Sequence, residues 1–303
     1  MLSAMRVPRV ERPNNKSRPS SIYRRPWWQV ALLHLSLMAG SFLMLLPFLW
    51  MFITSVSNPA SAFSSPEHFH WIPHIWYWSN YADVFHRLSA NGMSFWLLYW
   101  NSLFVAIGGT VGQVLTSSMA AYAFARLRFP GREPLFFGYL ATMMVPGSVT
   151  LIPVFILMRD FHWINSYYAL IIPGIFSPFG TFMLRQFFMS LPRELEEAAR
   201  IDGASLVGIY WRITLPLSKP AIATLTTFTF LGYWVSFLWP LIVTVSPQMR
   251  TLPIGMTVFM QRYTADYSQW MAASVMATVP VILVFLFNQR YFVEGIKLSG
   301  IKG

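Results

Sequence analysis

The sequence predicts an all-α integral membrane protein with six transmembrane helices, and three observations predict this class. Of the 303 residues, 55% are hydrophobic and only 11% are charged, whereas a soluble domain carries about 25% charged residues. Six apolar segments are long enough to cross a bilayer. The lysines and arginines lie mostly in alternate loops. A soluble globular domain and a disordered chain are both excluded, because neither accommodates so much apolar sequence.

The chain begins with a basic, proline-rich tail over residues 1–26, which we expect to be disordered. The apolar run that follows, about Trp27 to Ile53, is longer than the ~7–15 residues of a signal-peptide core and is predicted to be an uncleaved first span. Residues 27–303 are predicted to form the membrane domain. Its five further spans are predicted at about Phe95–Phe124, Leu135–Met158, Tyr167–Met189, Pro220–Val245 and Trp270–Phe292.

The positions of the basic residues predict the orientation of these spans. With the N-terminus in the cytoplasm, 18 of the 22 lysines and arginines lie in inner segments and four lie outside. Because positive residues are retained on the cytoplasmic side, both termini are predicted to be cytoplasmic. The net charge of +11 then indicates contact with membrane lipid rather than with nucleic acid, since the basic residues are spread over every inner loop.

The inner segment between spans four and five, about residues 190–220, is predicted to form two short helices joined by an elbow. Ser190 is predicted to cap the first helix, which Pro192 starts. Gly203 is predicted to end it in a left-handed conformation. The first turns carry anions, which the helix dipole favours there: Glu194, Glu196 and Glu197.

The second short helix is predicted to begin after Ser205, whose hydroxyl can cap it. It presents an apolar stripe at helical spacing. This pattern alone leaves two alternatives open, because the stripe can pack on the protein's own bundle or on a partner. The stripe consists of Leu206, Ile209, Tyr210 and Ile213.

Three motifs of the elbow occur in a fixed order: Glu197-Ala-Ala199, Asp202-Gly-Ala204 and Ile213-Thr-Leu-Pro216. They resemble the EAA loop of binding-protein-dependent ABC importer permeases. The rest of the chain from Trp27 onward is similar to one branch of that family, the MalG-like permeases of carbohydrate importers. The matching motifs are Asn101-Ser-Leu103, Asn165-Ser-Tyr-Tyr-Ala-Leu-Ile-Ile-Pro173, Phe237-Leu-Trp-Pro-Leu-Ile242, Thr251-Leu-Pro-Ile-Gly255 and Gln289-Arg-Tyr-Phe-Val-Glu-Gly-Ile296.

The resemblance implies a subunit of a larger importer in a bacterial or archaeal cytoplasmic (inner) membrane. Its partners would be a second homologous permease, two ATPase subunits that bind ATP and Mg, and an extracytoplasmic solute-binding protein. The elbow would couple the spans to an ATPase, with Glu197 as its charged contact and with Tyr210 and Ile213 filling a groove on that subunit. The residues implied in this coupling are Glu197, Ala198, Ala199, Asp202, Gly203, Ala204, Tyr210, Ile213 and Pro216.

The chain itself is predicted to be non-catalytic and to bind no cofactor. It has no phosphate-binding Gly-x-x-x-x-Gly-Lys-[Ser/Thr] motif and no cysteine. No nucleophile-elbow pattern is present either. Three histidines of the first outer loop have a zinc alternative, but the surrounding aromatic and proline residues favour an interfacial loop without metal. They are His68, His70 and His74.

Aromatic and hydroxyl side chains of span five could line a sugar path, or they could pack in the bundle or face lipid. They are Tyr233, Trp234, Ser236, Phe237 and Trp239. This stretch departs from the resembling family, which more usually has Trp-Asn-Glu before Phe-Leu-Trp, so an acidic group is absent here.

An ATPase-independent channel or secondary carrier for a small polar solute is the alternative function. It is disfavoured because ion-driven carriers need ionisable groups within their spans, and these are nearly absent. An integral-membrane enzyme is a third class, for which the sequence shows no polar catalytic cluster.

Overall fold

The computed structural model describes residues 26–58, 73, 75–260 and 266–299, with side chains as far as residue 291. These residues form helices and connecting turns, and no β-strand occurs among them. The predicted basic tail, except Pro26, lies outside the described residues, as do His68, His70 and His74. The chain divides into two units, residues 1–49 and 50–303.

The described residues contain 14 α-helices joined by short loops, 3₁₀ turns and one π-helical turn. In chain order they are α1 Trp27–Ser55, α2 Ser79–Ala90, α3 Phe95–Arg126, α4 Arg132–Ala141, α5 Gly147–Asp160, α6 Tyr167–Ile171, α7 Pro178–Ser190, α8 Glu194–Ile201, α9 Leu206–Ile209, α10 Leu215–Leu217, α11 Lys219–Trp234, α12 Leu238–Val243, α13 Leu252–Gly255 and α14 Tyr267–Ser299.

Three of these helices, α1, α3 and α14, are long and apolar enough to cross a membrane. They correspond to the first, second and sixth predicted spans. Two bent helix pairs meet the same criteria when each pair is counted as one span, which raises the number to five. The described residues therefore contain several membrane-spanning segments of helical structure, as the sequence predicts.

The third predicted span is not one continuous helix in the structure. A bend of 99° separates the segment Arg132–Met144, which contains α4, from α5. The chain leaves a 3₁₀ turn at Thr142–Met144 and continues through Pro146, which has an extended backbone (φ −59°, ψ 136°). Because proline has no N–H to donate and disfavours helical geometry before it, the helix ends here.

The fourth and fifth predicted spans are also interrupted, in the parts of each span that lie away from the elbow. A bend of 44° separates the segment Tyr167–Gly174 from α7, next to Pro173 and Pro178. The fifth span comprises α11, which has 16 residues, and the short α12, with a break at residues 235–237. Since a straight span needs about 20 residues, α11 does not satisfy that length by itself.

Within the unit formed by residues 50–303, α3 is the central helix and packs against α7 and α11. Close packing depends on small residues. The backbone of Gly180 on α7 lies beside Ser117, and a Cβ at Gly180 would be 2.7 Å from Ser117 Oγ. At the start of α3, a buried cluster joins this helix to α2, α11 and α14. Its largest members include Phe95 and Leu98 of α3 and Phe230 and Trp234 of α11.

A second buried cluster joins the end of α3 to α7 and to the elbow. Its members lie on successive turns of α3 and on the facing sides of α7 and α9. We call this end of the unit the elbow end. The cluster fixes the position of the elbow. Its buried members include Ala121, Tyr122, Ala125, Leu184, Phe188, Ile209 and Tyr210.

Two asparagines that belong to the motifs of the resemblance hold the loop after α12. The side-chain amide of Asn101, which is fully buried, donates to the carbonyls of Gln248 (2.7 Å) and Arg250 (2.9 Å). Asn165 has a positive φ of 62°, and its Oδ1 accepts from the backbone N–H groups of Val245 and Ser246 at 3.0 and 2.9 Å. Both residues therefore have structural roles at the end opposite the elbow.

Candidate coupling site and central cavity

The first half of the elbow is α8, and it ends as the sequence predicts. Gly203 has a φ of +82°, in the left-handed region that glycine adopts without steric cost. The N–H of Ala204 donates to the carbonyl of Ala199 at 2.9 Å, and the N–H of Gly203 donates to that of Arg200 at 3.0 Å. These bonds satisfy carbonyls that the end of a helix otherwise leaves unpaired.

The predicted capping role of Ser190 was wrong. Ser190 is the last residue of α7, and its hydroxyl donates to the carbonyl of Phe187 at 2.7 Å. Residue Arg193 precedes α8 and makes no capping bond through its side chain. Capping needs the residue directly before the first helical turn, and Ser190 lies too early in the chain because Leu191 is extended. The first turn of α8 is stabilised by its three glutamates instead.

The second half of the elbow begins as predicted. Ser205 Oγ accepts from the N–H of Gly208 at 3.2 Å, which caps α9. The chain then passes through a π-helical turn at Tyr210–Thr214 into α10, which contains Pro216. In a π turn each backbone hydrogen bond spans one residue more than in an α-helix, and such turns are often found at functional sites.

The middle of the apolar stripe faces the protein's own bundle, whereas Leu206 at its start is 46% exposed. Ile209 is fully buried, and Tyr210 is 5% exposed with its hydroxyl 2.7 Å from Ser118 Oγ on α3. Burial raises the pKa of Tyr210 above its ordinary value, and the hydrogen bond to Ser118 opposes that shift only in part. Ile213 is half-buried against the same cluster. The bundle thus covers Tyr210 and only part of Ile213, and the contact of these two residues with a groove on a partner stays a prediction.

Most of the other predicted coupling residues lie together on the exposed surface of the elbow. Ala199 is half-buried, and the exposed ones are Glu197, Ala198, Asp202, Gly203, Ala204 and Pro216. Three apolar side chains that sequence reasoning missed share this exposure, namely Ile201 (87%), Val207 (65%) and Trp211. They could have been found as the apolar residues of the elbow that fall outside the stripe. The elbow thus exposes apolar side chains beside charged side chains of both signs.

A buried ion pair attaches the elbow to the spans. Arg126, the last residue of α3, pairs with Glu196 of α8 at 3.0 Å (Nε to Oε1), and the two side chains are 3% and 9% exposed. The Arg126 guanidinium also donates to the carbonyls of Phe188 (2.6 Å) and Leu191 (2.8 Å) at the end of α7. One side chain therefore joins α3, α7 and α8. We call this arrangement the Arg126 joint.

The sequence did not predict the joint, because Arg126 has the position of a loop charge and Glu196 that of a charge favoured by the helix dipole.

A second ionic cluster lies at the same end. Arg185 of α7 donates to both carboxylate oxygens of Glu133 at 3.0 Å and lies over the ring of Phe136, 4.0 Å from its centre. Arg132 donates to the same carboxylate at 2.8 Å. Arg126, Arg132 and Arg185 thus hold helix ends together at the elbow end.

A central cavity of about 510 Å³ lies among α3, α5, α7 and the fifth span. Three of the five residues predicted to line a path are in its wall: Tyr233, Ser236 and Trp239. The other two are not. Trp234 is buried against Phe230 and donates its indole N–H to the carbonyl of Ala277 at 3.0 Å, and Phe237 is exposed outside the cavity.

The cavity wall also contains polar residues that the sequence analysis did not single out. Gln113 of α3 donates through Nε2 to Thr229 Oγ1 on α11 at 3.1 Å, and Thr150 lies in the opposite wall. An amide side chain in the middle of an apolar span is a signal that could have found Gln113. The indole of Trp239 is held by a 2.8 Å bond to the carbonyl of Ala169. The wall is thus mostly apolar, with a few fixed polar groups, as ligand cavities are.

Comparison with known proteins decides the family. Residues 113–297 match the family described as "Binding-protein-dependent transport system inner membrane component". The chain belongs to this family. The match includes the central cavity from Gln113 onward and the whole elbow, and it confirms the resemblance on which the family was predicted. The protein is therefore a multi-pass component of an inner membrane.

Curated members of the family are similar over most of the chain. The arabinooligosaccharides transport system permease protein AraQ of Bacillus subtilis (strain 168) is 39% identical over 231 residues, which are 76% of this chain and 81% of AraQ. The sn-glycerol-3-phosphate transport system permease protein UgpE of Yersinia pestis is 35% identical over 266 residues, 87% of this chain and 94% of UgpE.

Solved structures agree with this membership. One chain of a bacterial ABC transporter involved in the import of the acidic polysaccharide alginate has a TM-score of 0.72 and 26% identity, and the match covers 87% of this chain and 97% of that chain. A chain of a bacterial alginate ABC transporter in complex with a periplasmic protein shares the fold, with a TM-score of 0.58 and 16% identity. The helical architecture described above is thus that of a permease of this family.

Proposed function

We propose that this chain is the permease subunit of an ATP-driven importer and forms half of the translocation pathway for a sugar or a related solute. Six spans with both termini in the cytoplasm form its membrane domain in this proposal, the bent pairs counting as one span each and α11 with α12 as another. ATP and Mg are bound by two separate ATPase subunits, and this chain catalyses no reaction. A second permease completes the pathway, and a solute-binding protein delivers the solute from outside.

The observation that carries this proposal is the surface of the elbow together with its attachment. Glu197 and the small residues beside it are exposed, while Glu196 on the neighbouring position is buried in the Arg126 joint. A helix that is exposed on one side and fixed to two spans on the other can transmit a push from a partner to the bundle. Glu197 is proposed as the charged contact, and Ile201 and Trp211 as apolar contacts.

The solute class is supported by the central cavity and by the relatives. The permeases AraQ and UgpE are named for arabinooligosaccharides and sn-glycerol-3-phosphate. In this chain the cavity combines the rings of Tyr233 and Trp239 with the polar groups of Gln113 and Ser236. Aromatic faces pack on the C–H face of a sugar ring, and amide and hydroxyl groups bond its hydroxyls. A neutral or weakly charged polyol fits better than a strongly charged solute, because none of the described residues that line the cavity is ionised.

The proposal is tested by purifying the tagged protein in mild detergent and identifying what remains bound to it. We expect a second permease and an ATPase subunit, with ATP turnover that vanadate inhibits. Glu197→Lys should abolish the stimulated turnover, whereas Glu194→Lys on the same helix is the matched control and should retain it. A protein recovered without any ATPase, under conditions in which a known importer stays assembled, would refute the proposal and favour the channel or carrier.

The path through the cavity has a separate test. Gln113→Leu removes the amide and keeps the volume nearly unchanged, so it should slow solute uptake by reconstituted vesicles while solute-stimulated ATP turnover persists. Phe237→Leu, outside the cavity, is the control. Equal uptake by the two variants would exclude Gln113 from the path.

A further inference from the structure

A second cavity lies at the elbow end, between the loop that follows α3 and helix α8. Its volume is about 570 Å³. Four arginines line it, two from the loop region and two from the elbow: Arg126, Arg128, Arg193 and Arg200. Two carboxylates, those of Glu196 and Glu197, line it as well. The cavity wall therefore has an excess of positive charge.

The buried ion pair leaves three of these arginines available. Glu196 is already paired with Arg126. In the part of the chain that the structure describes, Arg128, Arg193 and Arg200 form no ion pair, and all three are exposed. An adjoining cavity of about 600 Å³ shares Arg128 and Arg193. The carboxylate of Glu197 also faces this space, so three arginines share it with one carboxylate that forms no ion pair among the described residues. The remaining positive charge favours a bound anion, and the planar arginine groups suit phosphate in particular.

The position of the cavity favours the phosphate group of a membrane lipid over free inorganic phosphate. The loop of residues 127–131 joins α3 to α4, which are both apolar helices of the membrane domain. The cavity therefore lies at the ends of two membrane-spanning segments, on the side where the elbow is attached. Leu127 and Phe129, which are half-buried, add apolar wall beside the arginines. A headgroup with an attached hydrocarbon chain uses both kinds of wall, whereas free phosphate uses only the charged one.

We infer that this cavity binds the phosphodiester headgroup of an anionic membrane lipid between Arg128 and Arg193, with Arg200 as a third contact. Basic pockets between helices at a membrane surface are suited to such headgroups. The bound lipid would connect the loop after α3 with α8 by a second route besides the Arg126 joint. This inference depends on the membrane location that the family shows, and not on the solute or the ATPase of the proposed function.

The experiment titrates the delipidated, purified protein with a short-chain phosphatidylglycerol and counts bound lipids by native mass spectrometry. Short-chain phosphatidylcholine and inorganic phosphate are the two comparison ligands. The double variant Arg128→Gln/Arg193→Gln should bind phosphatidylglycerol about 25-fold more weakly, at roughly fivefold for each arginine. The matched control Arg212→Gln/Lys219→Gln removes two exposed basic residues of the elbow outside the cavity and should bind as the wild type does.

Each outcome decides the inference. Retained affinity in Arg128→Lys/Arg193→Lys, with unchanged thermal unfolding of both double variants, would attribute the loss to charge and not to misfolding. Equal affinity of the two Gln variants would overturn the inference. So would binding of phosphatidylcholine as tight as that of phosphatidylglycerol. Binding of inorganic phosphate as tight as that of the anionic lipid would overturn the assignment to a lipid.

Discussion

Replacing Glu196 by glutamine tests whether the Arg126 joint fixes the elbow. The substitution keeps the shape of the side chain and removes its charge, while Arg126 retains its two carbonyl partners at 2.6 and 2.8 Å. Breaking a buried ion pair costs about 3–5 kcal/mol when one partner is removed outright. A glutamine oxygen still accepts one bond, so the loss is closer to that of a charged hydrogen bond, about 2 kcal/mol.

The measurement is thermal unfolding of the purified protein in detergent, compared with Glu194→Gln. Glu194 lies on the same helix and is exposed, so its replacement should change the stability by less than about 0.5 kcal/mol. Arg126→Leu should cost more than Glu196→Gln, about 3–5 kcal/mol, because it leaves a carboxylate and two carbonyls unsatisfied. If Glu196→Gln and Glu194→Gln unfold at the same temperature, the joint does not hold the elbow and the reasoning is refuted.

The remaining predictions concern the elbow and its cluster. Gly203→Ala should destabilise the protein by about 1 kcal/mol, because φ is +82°, whereas Gly138→Ala, with no atom near its Cβ position, should be neutral or stabilising; equal melting temperatures would contradict the left-handed turn. Ser205→Ala should cost about 1 kcal/mol through the lost cap, and Ser190→Ala should cost less; the reverse order in thermal unfolding would refute the assigned caps. Tyr210→Phe and Ser118→Ala should show a coupling of about 1 kcal/mol in a double-mutant cycle, and additive effects would exclude the 2.7 Å bond between them.

Local features of the elbow could be predicted from the sequence because neighbouring residues determine them. Gly203 ends a helix through its own backbone freedom, and Ser205 caps one through a bond to Gly208, three residues later. The apolar segments were likewise evident from composition. Pro146 was a signal in the sequence for the 99° bend. Hydropathy alone gives the length of an apolar segment and does not show whether the segment is one straight helix.

Features that depend on how helices are rotated against one another could not be predicted. Three glutamates lie in the first turns of α8, and only packing against α3 and α7 selects Glu196 as the buried one. The same applies to the fifth span, where Tyr233 faces the cavity and Trp234, one position later, faces the core. Helical periodicity gives the angle between two such side chains about the helix axis. Which of them faces the core can be determined only from the positions of the neighbouring helices.

Helix α3 connects the two sites through an uninterrupted stretch of backbone. Gln113, in the cavity wall, and Arg126, in the joint, are separated by twelve residues without glycine or proline, and the thirteen helical steps between them span about 20 Å. Such a stretch tilts as one rigid body. A tilt of about 10° about its Arg126 end moves Gln113 by roughly 3.5 Å, given the helical rise of about 1.5 Å per residue. If α11 stays in place, this displacement is larger than the range of donor–acceptor distances over which Gln113 can bond Thr229, so a small tilt at the elbow is enough to rearrange the polar groups of the cavity.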